Sequence, residues 1–180
     1  MKGCMAIDRQ KTETVHWHAV FTASRAEKKV RGRLEELGVE CFLPVQTVLR
    51  QWTYRKSRVV VPVIAGLVFV RVGRQEQVKV LQTKGVVAFL RLKGEAGAAV
   101  IPDKQMEDFR FLLDFSEEAV EMTNENIKAG DLVRVVKGSL RGMEGELIRH
   151  KGVTKVLVRI DMLGCAMVNI PASFVEKLNK

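Results

Sequence analysis

The stretch GDLVRVVKGSLRGMEGEL, residues 130–147, sets Gly130, Gly138, Gly142 and Gly145 among alternating apolar and charged residues. Alternation with period two describes a strand that buries one face. Glycines in such a pattern mark turns, bulges or points where two backbones approach closely. A phosphate-binding loop needs Gly-Lys-Ser/Thr opening a helix, so that backbone N–H groups and the helix dipole meet the phosphate. Here Gly142 and Gly145 run into ELIRH, which continues as strand. Gly138 is expected to end the first strand, and Gly142 and Gly145 to bend the chain into the second. Further short strands follow at regular spacing in TKVLVRID (154–161) and AMVNIP (166–171). This pattern predicts a small all-β barrel over residues 128–180.

The upstream part is mixed. VHWHAVF (15–21) reads as a strand. SRAEKKVRGRLEELG (24–38) predicts a helix. Ser24 is its expected N-cap, with Glu27 completing a capping box. Ala26, Val30, Leu34 and Leu37 form its buried face, and Gly38 is its stop. VECFLPVQTVLRQW (39–52) looks extended, TYRKSR (53–58) reads as a hairpin tip, and VVVPVIAGLVFVRV (59–72) as a strand pair broken at Pro62 and Gly66. A short helix over 74–85 should turn Val78 and Leu81 inward. VVAFLRL (86–92) is a strand. IPDKQMEDFRFLLDF (101–115) predicts a helix capped by Asp103, with Met106, Phe109, Leu112 and Leu113 as its apolar stripe. The fold class is therefore α+β, an antiparallel sheet flanked by helices followed by the barrel.

The acidic stretch SEEAVEMTNEN (116–126) has four glutamates and no basic residue, between two basic pieces. That shift marks a linker over 117–127, after a domain at 15–116 and a disordered segment at 1–14. The whole chain carries +9 at pH 7. Such an excess favours polyanions through counterion release, without choosing among them. Three dispersed cysteines suit a reducing compartment. No apolar run resembles a signal peptide, and the most apolar stretch is too short to span a bilayer, so a cytoplasmic location is expected. His16 and His18 lie two apart on one strand face but find no third ligand with metal-site spacing. No nucleophile, metal or cofactor motif emerges, so no catalytic residue, metal or cofactor is expected.

Two basic features point toward nucleic acid. Arg25, Lys29 and Arg33 repeat every fourth residue, one step ahead of Ala26, Val30 and Leu34. One step is about 100° of rotation, so a basic stripe runs beside the apolar one. RQWTYRKSR (50–58) adds Arg55, Lys56 and Arg58, with Trp52 and Tyr54 interleaved. Cations beside aromatics pair with phosphates and stack on unpaired bases.

WHAVFTASRAEKKVRGRLEELG, PVIAGLVFVRV, LQTKGVVAFLRL and IPDKQMEDF, in that order, resemble the N-terminal (NGN) domain of the NusG family of transcription elongation factors. AGDLVRVVKGSLRGMEGEL resembles that family's KOW motif, an SH3-like barrel, with Gly130, Asp131, Gly138, Gly142 and Gly145 as its residues. RQWTYRKSRVVVPVIAG looks more like the specialised antiterminator paralogues, the RfaH and UpxY types that act on polysaccharide operons, than the housekeeping factor. The resemblance implies an apolar patch on the clamp helices of the RNA polymerase β′ subunit, here Trp17, Phe21, Ile64, Leu67, Phe69 and Phe89. It implies a contact to the β gate loop at Gln77 to Gln82. It also implies non-template DNA contacts by Arg25, Lys29, Arg33, Thr83, Lys84 and Gly85. The family's barrel binds other proteins, such as a small-subunit ribosomal protein or termination factor Rho. A monomer is expected. The family's Phe-Pro-Gly-Tyr turn stands here as Ile64-Ala65-Gly66-Leu67, and His18 replaces a usual aromatic. A housekeeping factor and a KOW-containing ribosomal or RNA-binding protein remain alternatives.

Overall fold

The computed structural model describes residues 14–52, 55–123, 125, 127–160 and 163–178. β1 (His16–Thr22), β2 (Glu40–Phe42), β5 (Leu67–Val72) and β6 (Val86–Phe89) form an antiparallel sheet in the order β2-β5-β1-β6. Odd residues of β1 face one way and even residues the other, so the sheet buries both faces. Val20, Val68 and Val70 pack under Val30 and Leu34 of α1 (Glu27–Glu36) and Val80 of α2 (Arg74–Gln82). Trp17, Ala19, Leu67 and Phe69 pack under Met106, Phe109 and Leu112 of α3 (Asp103–Phe115). Phe42, Phe69 and Phe109 meet there with centroids 6.0–6.3 Å apart. Burying each such ring contributes about 1.5–3 kcal/mol. Arg110 closes this face, its guanidinium 5.6 Å from the Trp17 ring and 5.0 Å from that of Phe42.

β3 (Val45–Trp52) and β4 (Arg55–Pro62) form a separate two-stranded ribbon, registered from Val45↔Pro62 to Trp52↔Arg55. The expected tip was therefore too wide. Lys56 and Arg58 continue the ladder because Val59, Val60 and Val61 carry strand character toward the turn. The C-terminal strands are β7 (Glu121–Thr123), β8 (Asp131–Val135), β9 (Glu144–His150), β10 (Val153–Ile160), β11 (Gly164–Asn169) and β12 (Val175–Lys177). They pair antiparallel in the order β12-β8-β9-β10-β11-β7. Residues 121–123, expected as linker, add an edge strand on β11, held by Glu121 against the buried ammonium of Lys155 at 2.6 Å. The other side of α3 rests on β10, so one apolar cluster joins Phe109 and Leu112 to Val156 and Val158.

Several local expectations are corrected. Ser24 does not cap α1. Arg25 adopts φ 58 and the Ala26 N–H donates to the Ala23 carbonyl, a turn that delays the helix to Glu27. The Glu27 carboxylate reaches away from the cap and accepts the Gly66 N–H at 2.7 Å. Leu37 is 56% exposed, because the helix has ended and Gly38 and Val39 return their N–H groups to Glu35 and Leu34, a left-handed stop. On α2, Val78 and Leu81 face outward and Val80 inward, since the helix starts from the cap Gly73 and its inner face falls on Gln77 and Val80. Pro102, rather than Asp103, caps α3. Gly145 lies within β9, where a Cβ would come 2.7 Å from Val156 Cγ1 and 2.8 Å from the Leu157 carbonyl oxygen. Its role is close strand approach rather than bending. Gly130 is similar, because a Cβ there would overlap the Leu147 carbonyl.

Candidate functional site

The apolar residues singled out in the sequence divide by burial. Trp17, Phe21, Leu67 and Phe69 share the α3 face of the sheet, as the pairs Phe21↔Leu67 and Ala19↔Phe69 require. α3 covers Trp17, Leu67 and Phe69 completely, so these three are core. Phe89 belongs to the opposite face, buried edge-on against His18 at 5.7 Å. Only Phe21, 41% exposed, and the half-buried Ile64 offer surface to a partner.

The basic residues come together more completely. Gly85, at φ 98, turns the chain after α2 against α1, close to Val30 and Ala26. Arg33 Nη1 donates to the Lys84 carbonyl at 2.5 Å, and the Ala23 N–H donates to the Gly85 carbonyl at 2.8 Å. Lys84 is exposed beside the exposed Arg25 and Lys29. Thr83 is buried and its hydroxyl donates to the Lys79 carbonyl, so it shapes the corner from within. The Lys28 ammonium donates to the Val60 carbonyl at 3.3 Å and ties the ribbon to α1. Lys56 and Arg58 are exposed on β4, opposite Gln51 and Leu49. The roles expected of Tyr54, and of the Trp52 and Arg55 side chains, lie outside the described residues.

Sequence reasoning missed the join between these two surfaces. The Thr22 N–H donates to the Gly66 carbonyl, and the next residue, Ala23, donates to Gly85. The five residues Phe21 to Arg25 thus carry the apolar edge directly into the basic corner. Two left-handed glycines, Gly66 and Gly85, were the available signal, each ending a turn that returns to β1. His18 lies on the strand as expected, and its ring is fixed at both nitrogens. Its Nδ1 lies 2.7 Å from the Ala99 carbonyl and must carry a proton to bond it, so Nε2 accepts from the Gln77 amide at 3.3 Å. Burial lowers the His18 pKa, against the Ala99 bond that raises it, so the ring is neutral.

In the C-terminal sheet, Asp131 pairs with Lys177 at 2.6 Å and joins the ends of β8 and β12. Arg159 donates twice to Glu146, at 2.6 and 2.8 Å, and once to the Ile127 carbonyl. Glu146 also accepts the Gly130 N–H at 3.1 Å. The Arg159 hydrogen bonds hold the Glu146 carboxyl below its ordinary range. No helix among the described residues is long and apolar enough to cross a membrane.

The family model described as NusG, transcription termination factor nusG, matches residues 15–110. The chain belongs to the NusG family. Members are transcription factors rather than enzymes. A structure described as the domain interaction in Thermotoga maritima NusG is similar at TM-score 0.50 and 22% identity, over 92% of this chain and 98% of that one. The MjSpt4:Spt5 complex, conformation B, aligns at TM-score 0.29 and 18% identity, over 91% of this chain and 97% of that one. The search of curated proteins finds no match. The NusG likeness supports an NGN domain followed by a β-rich C-terminal region consistent with KOW.

Proposed function

We propose that this protein is a non-enzymatic elongation factor that binds RNA polymerase and suppresses pausing or termination, in the operon-specific manner of the specialised paralogues. The observation that carries this reading is the continuity of the Phe21–Arg25 segment with both the Gly66 turn and the Gly85 corner. An apolar edge for the β′ clamp helices and a cationic edge for the non-template strand then lie side by side. A factor so built engages polymerase and displaced DNA together. It stabilises the closed polymerase clamp in proportion to its preference for that state. Gln77 to Gln82 supply the β gate-loop contact. Residues 128–180 act as the KOW domain and offer a second partner surface, to a small-subunit ribosomal protein or Rho.

Phe21→Glu and Ile64→Glu test the polymerase contact without opening the core, since both side chains already reach solvent. Each is expected to abolish co-purification with polymerase while leaving the unfolding midpoint within about 1 kcal/mol of the parent. Undiminished polymerase binding by the double variant would remove the basis for the assignment.

A further inference from the structure

A cleft of about 790 Å³ opens between α2 and residues 96–100 and runs along the helix from Arg74 to Leu81. Val72 and Phe89 form its apolar floor, and Leu81 and Val100 its partly exposed walls. His16, Arg74 and Arg91 stand at its rim, exposed, and make no hydrogen bond or ion pair among the described residues. Among the described residues its lining contains no Asp or Glu. At the floor, Gln77 is oriented by His18, which accepts one of its amide protons. The Gln77 carbonyl oxygen and its second N–H remain available, the donor–acceptor pair with which a glutamine side chain reads an adenine edge.

We propose that this cleft binds a nucleoside phosphate, with the base on the apolar floor against Gln77 and the phosphate between Arg74 and Arg91. An acidic peptide also satisfies the arginines, the apolar walls and, through its backbone, the oriented amide, but it brings no flat ring to lie on the Val72–Phe89 floor. A nucleotide uses all three features. The shared chemistry has two sources, a free nucleotide or a base of a single strand; the cleft shares Gln77 and Leu81 with the proposed gate-loop segment, while its phosphate contacts, Arg74 and Arg91, lie outside it.

The test is a titration of the full-length, isotope-labelled protein followed by NMR, reading the Gln77 side-chain amide, the Leu81 methyls and the amides of residues 83–85. The probes are AMP, UMP, inorganic phosphate, a short adenine-containing single strand, the same strand with an abasic site, and an acidic apolar peptide. AMP is expected to shift Gln77 and Leu81 saturably, more tightly than UMP, with phosphate weaker than both. Arg74→Ala and Arg91→Ala lie outside the packed core and should each weaken AMP binding roughly tenfold, the size of a lost charge-assisted hydrogen bond. A strand as the source shifts Gln77 and residues 83–85 together and binds more tightly than AMP, and the abasic strand loses the Gln77 shift. A free nucleotide as the source gives the strand no advantage over AMP. Absence of cleft shifts with every nucleotide probe, shifts with the peptide alone, or AMP affinity unchanged in the double arginine variant would overturn the proposal.

Discussion

Replacing Gly85 with alanine isolates the contact that joins the corner after α2 to α1. Gly85 sits at φ 98, and an added Cβ would lie 2.9 Å from Val30 Cγ2 and 3.7 Å from Ala26 Cβ. Val30 is fully buried against Leu34 and the sheet, so it has no room to retreat. The backbone strain of a side chain at positive φ costs about 1–2 kcal/mol. Overpacking against Val30 adds about 1–3 kcal/mol. The sum, roughly 2–5 kcal/mol, is a large share of the 5–15 kcal/mol that typically holds a domain together. Gly94 supplies the control: it has φ 93 but nothing within 4 Å of its ideal Cβ. Gly94→Ala should therefore cost only the backbone part, about 1–2 kcal/mol. Urea unfolding of both variants, at unchanged m, measures the difference directly. The Gly85 variant should also lose affinity for single-stranded DNA, because the Lys84 carbonyl is pushed off Arg33. Equal destabilisation of the two variants would refute the reasoning, since it would leave the Val30 contact without energetic consequence.

Lys155 is buried and, among the described residues, its ammonium pairs with the half-exposed Glu121 alone, so the two halves of that bridge should respond differently. Glu121→Ala should destabilise by about 1–3 kcal/mol by leaving a buried charge unpaired, whereas Lys155→Met should be near neutral or stabilising in thermal unfolding. Glu146→Gln should cost about 1–2 kcal/mol at neutral pH by weakening the two Arg159 bonds. Because the folded-state pKa of Glu146 is lowered, that stability is present above the ordinary carboxyl pKa of 4.5 and fades as pH falls through the folded value. The penalty should thus shrink in acid, as unfolding at pH 7 and pH 3 will reveal. His18 has a lowered pKa too, but as a base its sign is reversed. Below its ordinary 6.5 the unfolded chain binds the proton first, so stability should fall as pH drops from 6.5 toward the folded value. His18→Phe should remove that slope from pH-dependent unfolding curves.

The sheet, the three helices and the C-terminal strands were legible because each rests on a local pattern. The apolar spacing of Met106, Phe109 and Leu112 survives burial, and the strand positions Val133, Val135, Val156, Val158 and Ile160 are all buried. What failed depended on tertiary partners. Glu27 has the spacing of a capping box, but a Gly66 N–H across the turn competed for its carboxylate and won. Val78 and Leu81 have helical spacing, yet the inner face of α2 is chosen by where β5 delivers Gly73. The candidate surfaces divide on the same line. The basic stripe follows from α1 periodicity only for Lys29 and Arg33, since Arg25 lies before the helix in a left-handed turn. The apolar patch was a list of residue types, and type does not say whether a third helix lies on top.

That third helix governs how the two halves of the molecule act. α3 buries Met106, Phe109 and Leu112 in a single cluster that also takes in Val133, Val156 and Val158. The Val120 N–H donates to Gln46 Oε1 at 2.9 Å, so the chain leaving α3 is fixed to the ribbon before it enters the C-terminal sheet. β7 then completes that sheet at its β11 edge. The stretch expected as a linker thus holds two sets of contacts, to the ribbon and to β11. A segment fixed at both ends gives little of the independence that a flexible linker allows. Any partner held by the C-terminal strands in this arrangement is therefore carried at a set position relative to the Phe21–Arg25 edge. The geometry between the Phe21–Arg25 edge and the C-terminal sheet follows from the packing of α3 rather than from linker length.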